Sequence, residues 1–209
     1  MMQQPERLDL DQVSLDEARF SVVDVETTGM NPLEDRITEI AMMKVQGGQL
    51  VEELSTLVNP LMSIPAYITD LTGIDNIMVH DAPPAREVAP FISEFLAGSV
   101  FAAHNASFDW GFVYNTVLRE SGVTLANPQL CTVRLSRRIL PSLPSKSLGP
   151  VTRHLNIEIP QRHRASGDAF ATALVLVKYL SYLKKTYAFK TVGEVLRFQS
   201  SRASSYQPA

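Results

Sequence analysis

FSVVDVETTG, Phe20 to Gly29, is a short apolar run that ends with two carboxylates one residue apart, Asp24 and Glu26. Val22, Val23 and Val25 favour a pleated strand, in which residues i and i+2 point the same way. Asp24 and Glu26 therefore share one face, and Val23 and Val25 take the other. Two adjacent carboxylates repel, which raises the apparent pKa of the pair, and a divalent cation is the simplest group that neutralises both. The alternative is a strand whose last polar positions are simply solvated. Partners elsewhere in the chain decide between the two.

Outward from this strand, TTGMNPLEDR is rich in turn formers. ITEIAMMKV, the Gly47-Gly48 pair and LVEELSTLV then read as two strands joined by a tight hairpin. Three antiparallel strands therefore open the domain. IPAYITDLTGI reads as a short helix stopped by Gly73, and PPAREVAPFISEFLAG as a helix ended by Gly98 that Pro90 should kink or divide. SVFAAH is a buried strand. The helix after it starts near Asn105 or Ser107, carries Trp110, Val113, Tyr114 and Val117 as its core stripe, and holds Asp109 in its first turn. There an acid is favoured by the helix dipole, whether or not it also faces the first two.

VTLANPQLCTV supplies a fifth strand, TVRLSRRIL a basic helix, and PSLPSKSLGPVTRHLNI a loop and a short helix. From about Ser166 a long helix carries Phe170, Ala173, Leu174 and Val177 on one stripe, with Asp168 near its start and His163 on the loop leading in. The chain divides into an arm (1–18), a domain (19–182) and a C-terminal segment (183–209) with one short helix, VGEVLRF, and a mobile polar end.

The 209 residues, 45% of them hydrophobic, suffice for one compact domain. A lone cysteine, Cys131, excludes an internal disulfide framework and a cysteine-rich zinc site. No apolar run reaches the roughly 18 residues of a membrane span, and MMQQPERLDLDQ is too polar for a signal peptide, so a cytoplasmic location is expected. The net charge of −3 gives no sign of a polyanion-binding protein, yet no acid occurs between Glu120 and Glu158. Arg134, Arg137, Arg138, Lys146 and Arg153, with Arg162 and Arg164 beyond, form either a phosphate-binding track or a solvated basic face.

DVETTG, AHNASFDWGF and HRASGDA, in this order, resemble the three motifs of the DEDDh family of 3′ to 5′ exonucleases. The likeness covers roughly residues 19 to 182 and is greatest to proofreading domains of the DNA polymerase III epsilon-subunit and PolC type, since IPAYITDLTGI and CTVRLSRRILP also look like theirs. It implies a ribonuclease H-like α/β fold, a five-stranded mixed sheet flanked by helices, with the acids gathered at one end of the central strands. It also implies that Asp24, Glu26, Asp109 and Asp168 hold two Mg²⁺ or Mn²⁺ ions and that His163 is the general base. The implied substrate is a single-stranded DNA 3′ end, released as 5′ mononucleotides. Thr27, Thr28, Gly29, His104, Asn105 and Phe108 would flank the terminal nucleotide, although His104 also reads as a satisfied strand-end histidine and Phe108 as a core aromatic. A DNA polymerase is the implied partner. A free-standing enzyme acting on RNA or repair intermediates, or a silent nucleic-acid-binding adaptor, are the other readings of the same motifs.

Overall fold

The computed structural model describes residues 9–159 and 164–201. The valine-rich run forms β1 (Arg19–Thr27), which pairs antiparallel with β2 (Ile37–Gln46), and β2 pairs antiparallel with β3 (Gln49–Leu57). Gly47 and Gly48 both take positive φ, 58° and 76°, the conformation that a two-residue turn needs to match the strand twist.

After β3 come α1 (Ala66–Thr72), ended by left-handed Gly73, and α2 (Ala85–Leu96). Pro90 lies inside α2 without dividing it; the residue is on the exposed side, where a missing N–H costs less than in the core. β4 (Val100–Ala103) then runs parallel to β1, α3 (Ala106–Ser121) follows, and β5 (Gln129–Cys131) runs parallel to β4. The strand order is β3-β2-β1-β4-β5, the five-stranded mixed sheet that the motifs imply. α4 (Thr132–Ile139), α5 (Leu148–His154), α6 (Ala165–Tyr187) and α7 (Val192–Ser200) complete the chain. None of the described helices is long and apolar enough to cross a membrane.

Both faces of the sheet are covered, which is why β2 is buried along nearly its whole length. Val23, Val25, Ile40 and Met42 pack with residues of α2 and α3, including Ile92, Phe112 and Val113. Phe20, Val22, Ala41 and Met43 pack on the other face with Leu176, Tyr179 and Leu183 of α6.

The helix faces differ from their expected stripes. In α3 the buried residues are Ala106, Asp109, Phe112, Val113, Thr116 and Val117, while Trp110 and Tyr114 flank them, partly buried. The i, i+3, i+4, i+7 spacing from Trp110 fits a stripe, but the helix is rotated by about one position, which turns Asp109 inward. In α6 the small residues Ala165, Ala169, Thr172 and Ala173 are buried, and Phe170, Leu174 and Val177 are only partly covered. Small side chains let the start of this helix lie close against β1 and β2.

Residues 9–18, expected as an arm, pack against the body. Leu15 and Ala18 are buried, and the Val192 and Gly193 N–H groups donate to the Val13 and Leu10 carbonyls. A Cβ on Gly193 would lie 3.1 Å from the Leu10 carbonyl oxygen and would displace the Asp11 carboxylate, so glycine suits this close approach. α7 buries Val192, Val195 and Phe198. Its Gln199 amide accepts from the Cys131 N–H and donates to the Gln129 carbonyl, satisfying the open edge of β5.

Candidate active site

β1 brings Asp24 and Glu26 to its C-terminal end on the α6 side of the sheet, and the pairing register shifts immediately after Glu26. Bulges of this kind commonly re-aim side chains next to a site. The first turn of α6 supplies Asp168. Carboxylate oxygens of Asp24, Glu26 and Asp168, one from each, all lie within 4.8 Å of one another.

Asp109 is held differently. β1 pairs with β4 only from Phe20 to Val22, so the Val25 N–H lies beyond the end of that pairing. The Asp109 carboxylate accepts it at 3.3 Å, which fixes this acid beside the other three through the main chain of β1.

The electrostatics follow from this crowding. Burial holds Asp24 well above the usual carboxylate range, and the charges of Asp109, Asp168, Glu26 and Glu39 push it further. Glu26 is pushed up to about 8, by burial first and then by Asp168, Glu39 and Asp109, with Arg164 opposing. Burial raises Asp109 to about 7 against the lowering effect of backbone hydrogen bonds, including that from Val25. Four carboxylates pressed together against their own repulsion form an all-oxygen donor set, which fits a hard divalent cation.

The other residues expected near the terminal nucleotide fall into two groups. Thr27 and Thr28 are buried, and their hydroxyls serve the loop that follows β1: Thr27 donates to the Gly29 carbonyl at 2.6 Å, and Thr28 accepts from the Arg36 N–H at 3.0 Å. Gly29 leaves room for the Asp35 carboxylate, which a Cβ would strike. His104 bridges the Thr132 hydroxyl at 2.8 Å and the Lys146 carbonyl at 2.9 Å, so both ring nitrogens are occupied, and burial lowers its pKa to about 4. Asn105 and Phe108 remain accessible in different degrees beside Asp109: Asn105 is exposed, and Phe108 is partly buried with its ring 5.0 Å from that of Phe112. His163 lies outside the described residues.

Of the basic stretch, Arg134, Arg137 and Arg153 are exposed. Arg138 instead stacks on Phe198 and bonds the Ser201 carbonyl, and Lys146 donates to the Leu143 carbonyl. One charged residue of the site does not stand out in any motif. Glu39, an acid within the buried β2, is opposite Glu26 and nearly fully buried against Arg164. Its one signal in the sequence is an acid in a strand that is otherwise read as buried.

A profile of the Exonuclease family (RNase_T) matches residues 21–176, three-quarters of the chain and all four acids. The chain belongs to the exonuclease family. This exonuclease is 38% identical over 179 residues to a PolC-type DNA polymerase III of Caldanaerobacter subterraneus, an alignment covering 86% of this chain and 13% of that protein. It is 39% identical over 173 residues to the 3′-5′ exonuclease DinG of Bacillus subtilis, covering 82% of this chain and 18% of the relative. The chain thus spans only a small part of the curated relatives it matches. Among solved structures, exonuclease X in complex with 5′ overhanging duplex DNA superposes with a TM-score of 0.67 at 25% identity, over 87% of this chain and 99% of that one. E. coli exonuclease I in complex with a dA16 oligonucleotide shares the fold, with a TM-score of 0.69 at 18% identity over 82% of this chain and 44% of that one.

Proposed function

We propose that this exonuclease hydrolyses single-stranded DNA from its 3′ end to 5′ mononucleotides, with two Mg²⁺ or Mn²⁺ ions held by Asp24, Glu26, Asp109 and Asp168. The observation that carries this reading is the convergence of the Asp24, Glu26 and Asp168 oxygens within 4.8 Å. An acid cluster with raised pKa values is costly to a fold unless a cation occupies it. The direction of attack is supported by the likeness to DinG, named a 3′-5′ exonuclease.

Bound divalent ions supply the positive charge that polarises the scissile phosphodiester and acidifies the attacking water. The chain's own groups do the rest. Asp24, Glu26 and Asp168 carry the charge that fixes the cations, and Asp109 is oriented by its hydrogen bond from Val25. His163, as a neutral imidazole, takes the proton of the attacking water, so the rate falls as acid protonates the ring. The loop braced by Thr27, Thr28 and Gly29 forms one wall of the nucleotide site, and Asn105 and Phe108 offer a polar group and a ring edge on the other. Exposed Arg134, Arg137 and Arg153 form the track for the upstream phosphates. In this reading the catalytic unit is residues 19–182, working in the cytoplasm. The PolC-type relatives support association with a DNA polymerase as the setting.

Matched DNA and RNA oligomers, each incubated with Mg²⁺ and with Mn²⁺, test the substrate. Faster release of mononucleotides from DNA, abolished by EDTA and by Asp24→Asn, is expected. Faster release from RNA would transfer the assignment to RNA ends, and intact strands with retained binding would leave an adaptor.

A further inference from the structure

Glu39 is the fifth acid at the centre, and both of its oxygens are engaged by residues 164 and 165. Arg164 Nε donates to both of its oxygens, at 3.2 and 3.0 Å, Arg164 Nη2 donates at 2.7 Å, and the Ala165 N–H donates at 2.9 Å. The Glu39 side chain is 5% exposed and that of Arg164 34%. Both partners sit at decisive points of the fold. Glu39 is across the β1–β2 pairing from Glu26, and Arg164 is the N-cap of α6.

α6 has no side-chain cap of its own, so its first free N–H group, that of Ala165, is satisfied by a carboxylate reaching from a strand. A negative group at this helix end is favoured by the dipole as well as by the hydrogen bond. Asp168 lies one turn on, and its N–H donates back to the Arg164 carbonyl. The grip of Glu39 on residues 164 and 165 therefore sets both the height and the rotation of the turn that presents Asp168 to Asp24 and Glu26.

We propose that the Glu39–Arg164 pair positions the catalytic centre, fixing from β2 the turn of α6 that carries Asp168 and the point where the chain arrives from His163, without itself taking a metal ion or contacting substrate. The proposal rests on the exonuclease reading above. Its electrostatic and geometric effects have opposite signs, which makes it testable. Arg164 is a cation beside the acid cluster, so removing its charge alone would tighten the binding of a divalent ion. Loss of the positioning loosens it, by about 10- to 100-fold if the pair acts as other groups that orient metal ligands do.

The experiment is calorimetric titration of Mn²⁺ into the full chain without substrate, for the unsubstituted protein, Arg164→Ala, Arg164→Lys, Glu39→Gln and Asp24→Asn. Weaker Mn²⁺ binding by Arg164→Ala, with partial recovery in Arg164→Lys, is expected. The same variants should lose kcat on a DNA oligomer with KM little changed. In Glu39→Gln, hydrogen exchange at the Ala165 amide should accelerate while that of the β1 amides stays slow. Unchanged or tighter Mn²⁺ binding by Arg164→Ala, or a defect confined to KM, would overturn the positioning role. Failure of the unsubstituted protein to bind Mn²⁺ would instead remove the exonuclease reading itself, so the two failures are distinct. Should Arg164→Ala fail to fold, Arg164→Lys carries the same comparison.

Discussion

At the scale of single residues, the site is a place where function and stability oppose each other. Asp24 is partly buried among Asp109, Asp168, Glu26 and Glu39, and every one of them raises its pKa. Asp24→Asn removes the carboxyl group whose ionisation this crowding opposes. In EDTA the variant should be more stable by roughly 0.5 to 2 kcal/mol, the usual gain from relieving a functional strain, which is about 2 to 4 °C in Tm per kcal/mol for a chain of this size. Differential scanning calorimetry checks it, and a lower Tm for the metal-free variant would show that the carboxylate serves the fold. His104 gives the pH dependence. Its folded pKa of about 4 lies below the ordinary 6.5, so the unfolded chain binds more protons in the interval between. Its contribution is complete above about pH 6.5 and is lost as pH falls towards 4, in total about 3 kcal/mol. The stability advantage over His104→Gln in urea unfolding should therefore shrink steadily from pH 7 to pH 4.5, and a constant difference would contradict the neutral, bridging ring. The gathering of Asp24, Glu26, Asp109 and Asp168 at one end of β1 was legible because their types and spacings stand in the sequence. Glu39 was not, because its meaning comes from a strand register and a partner 125 positions away.

At the scale of elements, local chemistry was legible and long-range packing was not. Gly47-Gly48 and Gly73 announce a turn and a helix end because few other residues take positive φ there. The alternation of β1 correctly separates the acid face from the valine face. Residues 9–18 gave no such signal: isolated apolar positions such as Leu10, Val13 and Leu15 gain a face to pack on only when α7 arrives from the other end of the chain. α7 itself lies beyond the matched family span, yet Phe198 is 1% exposed among Phe189 and Tyr187, with the Arg138 guanidinium 4.1 Å from its ring centroid. Phe198→Ala should cost about 3 to 5 kcal/mol, the range for deleting a buried aromatic. Urea unfolding measures it, and a loss below about 1 kcal/mol would make α7 an appendage.

At the scale of the whole molecule, the topology explains why three sequence-distant motifs make one site. β4 pairs with β1 for only three residues, leaving the end of β1 open to the first turn of α3 on one side. On the other side the small-residue face of α6 approaches closely enough for Asp168 to join Asp24 and Glu26. The order of the motifs revealed the constellation, but the sequence could not show that the same sheet also spends a fifth acid on holding α6 in place. The central claim is that this end of the sheet is a metal-dependent centre for 3′ ends. Its most direct test is a single-stranded DNA labelled at the 5′ end, followed in time with Mg²⁺ or Mn²⁺ beside the Asp24→Asn variant. A ladder shortening one nucleotide at a time from the 3′ end, absent in EDTA and in the variant, is the predicted result. Immediate appearance of the label as a mononucleotide, or an identical ladder with Asp24→Asn, would contradict it.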